Sequence, residues 1–164
     1  LKNAKIIFNL SECVDFNEYG NNNLEVLFSA NNNSKPFNLS KIASGGEKSR
    51  ILFALKSILA KKVNLPTLVF DEIDSGTSGE IANAIGSLMN IMGKKIQIIS
   101  ITHLAQVASK ADHHYKVFKS NINNKVVTNI NKLDNSERVD EIALMISGEN
   151  VTESAINQAS ELLK

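Results

Sequence analysis

The sequence has little of several features that would otherwise narrow its function. Only one of its 164 residues, Cys13, is a cysteine, so a disulfide within the chain is impossible and a reducing cytoplasm is the expected compartment. No apolar run reaches the roughly 18–20 residues that a membrane-spanning helix requires, so no membrane partner is expected. The formal net charge is only +1, and bulk charge therefore gives no argument for nucleic acid binding.

Two kinds of ligand site are also missing from the sequence. No Gly-x-x-x-x-Gly-Lys-Ser/Thr phosphate loop occurs in it. His113 and His114 have no cysteine or spaced acidic partners, so no zinc-type ligand set is expected. The chain begins with Leu1 rather than Met, as we expect for a segment of a longer protein.

Helical and strand patterns alternate along the chain. Helices are predicted at 47–62, 81–92, 104–110, 137–146 and 153–163. Strands are predicted at 6–10, 24–29, 68–70 and 97–102, a turn at 17–23, and a hairpin at 115–119 and 126–131. The predicted buried faces are Ile51, Leu52, Leu55, Ile58 and Leu59 on the first long helix, and Ile81, Ile85, Leu88, Met89 and Met92 on the second. This order predicts an α/β fold with a mostly parallel sheet, whose chemistry lies beyond the carboxyl ends of the strands.

An apolar strand that ends in Asp71 and Glu72 has the Walker B pattern. The first carboxylate can hold Mg²⁺, directly or through water, and the second can orient or deprotonate an attacking water. Because successive strand side chains point to opposite faces, the two acids are expected to have different roles. The alternative interpretation is a strand end followed by an acidic turn.

A second polar segment, Ser44-Gly45-Gly46-Glu47, directly precedes the first long helix. Its glycines permit close approach to a ligand, and the free N–H groups of the helix N-terminus suit phosphate. The spacing of Ser44 and Glu47 also satisfies a capping box, which does no more than start a helix. A third segment, Thr102-His103, ends the next predicted strand after Asp71 and Glu72.

These segments occur in an order that resembles the ABC-type ATPases. The signature motif would be 44–47, the Walker B carboxylates Asp71 and Glu72, the D-loop 74–76, and the switch histidine His103. Within that superfamily, the stretches 39–47, 70–79, 101–108, 137–143 and 146–149 resemble the RecN family of SMC-like ATPases. The resemblance extends from about residue 24 to the last residue.

The resemblance implies a P-loop NTPase fold of the ABC/SMC-like head type, of which this chain would be the C-terminal lobe. Residues 1–38 would be a β-rich entry from the coiled-coil side, and 39–164 would carry the motifs and the C-terminal helices. Walker A would lie on the N-terminal lobe of the same protein, which explains why it is absent here. The implied function is ATP-dependent repair of DNA double-strand breaks and recombination in the bacterial cytoplasm, with DNA and a second identical head as partners.

The resemblance also implies roles for particular residues, with ATP and Mg²⁺ as cofactors. Asp71 would help to place Mg²⁺, Glu72 would polarise the attacking water, and His103 would contact the γ-phosphate or the water. The residues that would close over the nucleotide of the second head are Ser44, Gly45, Gly46 and Glu47. Asp74 would link the two sites, and this chain alone would be inactive.

Two other classes of protein remain open. One is a head of a different SMC-like or ABC ATPase, a transporter ATPase being the less expected form. The other is a DNA-binding or dimerisation module without catalysis, in which the lysine pairs at 61–62 and 94–95 contact phosphates. Isolated lysine pairs are also common on solvated helix ends.

Overall fold

A computed structural model describes residues 3–18, 20–29, 35–41, 45–77, 79–122 and 125–164. Its strands are β1 (Lys5–Asn17), β2 (Gly20–Ser29), β3 (Phe37–Asn38), β4 (Thr67–Asp71), β5 (Gln97–Ile101), β6 (Tyr115–Ile122) and β7 (Lys125–Lys132). Its α-helices are α1 (Gly45–Val63), α2 (Gly79–Gly93), α3 (Ala105–Ala108), α4 (Asn135–Ser147) and α5 (Glu153–Leu162), and a short 3-10 helix spans Leu39–Lys41. The chain divides into two compact units, Leu1–Lys48 and Ser49–Lys164. The predicted domain division at residue 38 stays a prediction.

The first unit contains a longer β-hairpin than the sequence predicted. β1 and β2 pair antiparallel from Lys5 opposite Ser29 onward, and Gly20–Asn23 lies within β2 although it was predicted as part of a turn. A strand ladder uses backbone groups, which asparagines supply as well as any other residue, so turn-forming side chains do not end it. The ring of Phe28 is buried and meets Phe37 of β3 edge-to-face, with ring centroids 5.8 Å apart.

The second unit is built on a parallel pair of strands. β4 and β5 run parallel in the same sheet with α2 between them in sequence, which confirms the predicted α/β arrangement. Leu68 and Phe70 of β4 are buried, and the Phe70 ring lies 5.0 Å from the Phe53 ring of α1, centroid to centroid. The other face of the sheet, which includes Val69 and Ile99, is exposed. This exposed face is apolar, whereas parallel sheets usually have both of their apolar faces covered.

The predicted buried face of α1 is largely wrong. Of its five residues only Ile51 is buried, and Ile58 is 65% exposed. α1 instead buries Phe53, Ser57 and Ala60, and the Ser57 hydroxyl donates to the Phe53 carbonyl oxygen at 2.7 Å. The helix is apolar on two sides, so helical spacing alone does not decide which side packs. For α2 the prediction is partly right, because Ile85, Met89 and Met92 are buried while Ile81 and Leu88 are exposed.

The C-terminal helices pack on α3 through small side chains. Their shared cluster comprises Ala105, Ala108, Ile142, Ala143, Ala155 and Ala159. α4 begins two residues earlier than predicted because Asp134 forms a capping box with Glu137: the Asp134 Oδ1 accepts from the Glu137 N–H at 2.8 Å, and the Asp134 N–H donates to the Glu137 carboxylate at 2.9 Å. Across the described residues, no helix combines the length and the apolar character needed to span a lipid bilayer.

Candidate functional site

The two segments with predicted chemistry lie side by side at one edge of the β4–β5 sheet. The strands are in parallel register, with Asp71 opposite Ile101, so both end at the same level. The ladder continues for one more step, since the Glu72 N–H donates to the Ile101 carbonyl oxygen at 3.0 Å. Glu72 and Thr102 therefore leave the sheet next to each other, and the expectation that polar groups gather at this edge is confirmed.

Both Walker B carboxylates are exposed to solvent. Asp71 is the last residue of β4 and follows the alternation of the exposed face that carries Val69. Glu72 departs from strand geometry with a φ of 45°, in the left-handed region that non-glycine residues rarely adopt. Such a conformation costs on the order of 1–3 kcal/mol and is common where a side chain must be aimed at a ligand. The two acids thus differ in backbone geometry because Glu72 lies outside β4, rather than through strand alternation, and their predicted roles stay predictions.

Asp74 lies beneath these exposed groups and is only 1% exposed. Its Oδ2 accepts a hydrogen bond from the hydroxyl of Thr102. Its carbonyl oxygen accepts from the Thr77 N–H at 3.0 Å and from the Thr77 hydroxyl at 2.7 Å, which folds 74–77 into a turn. Oδ1 has no hydrogen-bond partner among the described residues. The predicted role of Asp74 between two sites stays a prediction.

His103 is exposed and forms part of the wall of an open cavity of about 260 Å³. The lining residues are Thr77, Gly79, His103, Leu104, Ala105, Gln106, Met145 and Ile146. Binding pockets for complete small molecules usually measure roughly 300–1,000 Å³. The cavity is below that range.

Part of the signature segment lies outside the described residues. This applies to Ser44 and to the side chain of Glu47. Gly45 and Gly46 form the first residues of α1, and a Cβ placed on Gly45 would meet no atom within 4 Å. The open space at Gly45 leaves room for a ligand, and the predicted phosphate role of this segment stays a prediction.

The acidic groups suit a magnesium ion that arrives with a nucleotide. The described residues contain no cluster of three or more His, Cys, Asp or Glu side chains that could hold a metal by themselves. Mg²⁺ commonly binds through one or two carboxylates, several waters and the phosphates of its substrate. Asp71 is an exposed carboxylate at the end of β4, and its predicted metal role stays a prediction.

His114, which the sequence did not single out, has a distinctive environment. Burial lowers the pKa of His114 below 6.5, and the Arg138 cation lowers this pKa further. Arg138 is held in place because its Nη2 donates to the Ala111 carbonyl oxygen at 2.8 Å. Glu141 opposes the effect on the pKa and forms an ion pair with Lys116. The arrangement joins α4 to the end of the α3 segment, and only the folded chain brings these groups together.

Known proteins resemble the chain over almost its whole length. The DNA repair protein RecN of Rickettsia felis is 39% identical over 165 residues, which is 99% of this chain and 30% of that protein. The DNA repair protein RecN of Deinococcus radiodurans is 38% identical over 163 residues, which is 99% of this chain and 28% of that protein. The chain therefore spans less than a third of the length of these relatives. No protein-family model matches the sequence.

The fold resembles that of a solved SMC ATPase. A structure from work on ATP-driven dimerization and DNA stimulated activation of SMC ATPases superposes with a TM-score of 0.62 at 19% identity. The match covers 90% of this chain and 83% of that one. At this identity the likeness establishes the fold alone, and it confirms the predicted P-loop NTPase head class.

Proposed function

Since this chain belongs to the RecN family over the span that it shares with its relatives, we propose that it forms the C-terminal lobe of a split ATPase head. The complete head binds ATP with Mg²⁺, pairs with a second identical head and hydrolyses the nucleotide. This activity serves repair of DNA double-strand breaks and recombination in the bacterial cytoplasm. The main support for the proposal is that β4 and β5 end at the same level of the sheet. Asp71, Glu72 and His103 therefore lie at one edge of the sheet.

Each of these three side chains has a distinct part in phosphoryl transfer. A bound Mg²⁺ would supply positive charge that stabilises the reaction. Asp71 would hold that ion directly or through water, Glu72 would orient or deprotonate the attacking water, and His103 would contact the γ-phosphate or the water. Little covalent chemistry falls to the protein in such reactions, so accurate placement of these groups supplies most of the rate.

A second head completes the site. Gly45 and Gly46, at the start of α1, and Ser44, which precedes them in sequence, close over the γ-phosphate held by the partner head, and Glu47 belongs to the same segment. The N-terminus of α1 offers free backbone N–H groups and the positive end of a helix dipole, both suited to phosphate. The exposed position of Gly45 and the space around it support this role.

The exposed apolar face of the β4–β5 sheet supports the need for another lobe. Val69 and Ile101 on this face are 49% and 54% exposed, although their sheet is parallel. Parallel sheets are almost always covered on both faces, because their strands are apolar on both. We propose that the N-terminal lobe, which carries Walker A in this family, covers this face and supplies the phosphate loop.

The test is ATP hydrolysis by this chain, first alone and then mixed with the separately produced N-terminal lobe of the same protein. We expect no turnover by the chain alone and Mg²⁺-dependent turnover on mixing. Turnover by the chain alone would contradict the split head, because the sequence has no phosphate loop. No turnover by lobes that are shown to associate would favour the alternative, a DNA-binding or dimerisation module without catalysis. Binding of DNA by this chain without nucleotide, weakened by added salt, would support that alternative.

A further inference from the structure

Thr102 connects the two polar segments at the edge of the β4–β5 sheet. We propose that it is a positioning residue, which fixes the place of His103 relative to Glu72 by binding the buried Asp74. The inference rests on the proposed function for its catalytic consequence, whereas the structural connection itself is independent of that function. It gives Asp74 a role inside its own lobe.

The burial of Asp74 makes its hydrogen bond to Thr102 important. A carboxylate that is 1% exposed has lost its water, and a buried charge is unfavourable unless hydrogen bonds replace that water. Among the described residues, the Thr102 hydroxyl is the side chain that supplies such a bond, and Oδ1 has none. The segment after β5 is therefore held in the position where its hydroxyl meets Asp74.

A second contact holds the same two segments one step earlier. The Glu72 N–H donates to the carbonyl oxygen of Ile101, the residue before Thr102. Ile101, the last residue of β5, and Thr102, which follows it, are thus bonded to residues 72 and 74 after β4. Because one bond is made by the backbone of Glu72 itself, a shift of the Thr102 segment would also move the carboxylate that orients water.

The Thr102 hydroxyl also forms a hydrogen bond with Leu104, the residue that follows His103. Its Oγ1 accepts a hydrogen bond from the Leu104 N–H at 3.0 Å while its proton is donated to Asp74. A hydroxyl can donate one bond and accept others at the same time, which neither valine nor alanine can do. Residues 102–104 therefore form a turn that the Thr102 hydroxyl closes. His103 is the middle residue of this turn, so the direction of its side chain depends on the turn.

The connection is tested first on this chain without nucleotide, by amide hydrogen exchange at Leu104. In Thr102→Val the Leu104 N–H loses its acceptor, so its exchange should accelerate by roughly tenfold or more relative to the unchanged chain. Thr102→Ser keeps the hydroxyl and should keep the protection. The matched control is Thr67→Val, at the other end of the strand pair, where an exposed hydroxyl donates to Gln97 Oε1 at 2.9 Å. Unchanged protection of Leu104 in Thr102→Val overturns the proposal.

The consequence for catalysis is tested in the complete head. Thr102→Val should lower kcat by roughly tenfold to a hundredfold with little change in KM, because misplacement of groups affects the chemical step. Thr102→Ser should stay within about twofold of the unchanged head, as should Thr67→Val. Equal losses in Thr102→Val and Thr102→Ser, or normal turnover by Thr102→Val, overturn the positioning role. A complete head that hydrolyses no ATP even without substitution contradicts the proposed function instead, and the exchange result still decides the connection.

A paired variant covers the case in which Thr102→Val fails to fold. Removing both partners of a buried hydrogen bond is better tolerated than removing one, so Asp74→Ala combined with Thr102→Val should restore folding. The pair should still show the loss in kcat, because the connection is absent. Normal turnover by the folded pair overturns the proposal.

Discussion

The polar groups at the carboxyl end of the β4–β5 sheet form two sets that differ in exposure. Asp71, Glu72 and His103 are exposed, whereas Asp74 is buried and bonded to Thr102. Members of the two sets are close neighbours in sequence, so composition does not distinguish them. The exposed set is accessible from solvent, whereas the proposed positioning role belongs to the buried pair.

The largest effect is expected at the exposed set, from Glu72→Gln in the complete head. The amide keeps the size and polarity of the side chain but does not accept a proton, so turnover should fall by about 10²–10⁴-fold while ATP binding is retained. Steady-state hydrolysis and nucleotide binding measure the two quantities separately. The matched control is Glu80→Gln, an exposed acid in the first turn of α2, which should leave turnover unchanged. Turnover by Glu72→Gln close to that of this control would show that Glu72 is not the base.

A smaller effect, on stability, is expected beneath the site at Gly86→Ala. A Cβ on Gly86 would lie 3.0 Å from the Gln106 carbonyl oxygen and 3.1 Å from the Val107 Cα, both backbone atoms of α3. Because backbone cannot move aside easily, the free energy of unfolding should fall by about 1–3 kcal/mol in chemical denaturation. Gly93→Ala, near which no atom would meet the new Cβ, is the control and should not destabilise the chain. Equal stability of the two variants would show that the α2–α3 contact is loose.

The smallest effect concerns pH, and it depends on the half-buried His114. Burial lowers the pKa of His114 in the folded chain, so the unfolded chain binds this proton more readily, with its own pKa near 6.5. The contribution of His114 to stability is therefore present above pH 6.5 and is lost as the pH falls through the lower pKa of the folded state. His114→Gln should reduce the slope of unfolding free energy against pH below 6.5, relative to the unchanged chain. The same slope in the variant and in the unchanged chain would contradict the effect of burial.

Several features of the fold could be predicted because their signals are local. The apolar runs of β4 and β5, the helical period of α2 and the hairpin of β6 and β7 depend on a few neighbouring residues each. The edge that carries Asp71 and His103 follows from the parallel order of those elements. The start of α4 was missed by two residues because the capping acid Asp134 was not taken into account.

Other features could not be predicted because they depend on which surfaces meet. α1 has apolar residues on two sides, and the contact of Phe53 with Phe70 selects the side that packs. The burial of Asp74 and its bond to Thr102 depend on two strand ends that are 28 residues apart in sequence. Helical and strand periodicity relates only near neighbours in sequence, so it does not predict a contact at this separation.

The sequence by itself indicated the order of the elements, the positions of the candidate catalytic groups and the family that the chain resembles. These predictions depend on short sequence segments and on the order in which the segments occur, both of which can be read from the unfolded chain. Only the tertiary structure decided which polar groups face solvent and which are buried, and which side of α1 enters the core. The physical reason is that a residue is buried only where two surfaces are in contact, and these contacts form only when the strands and helices pack.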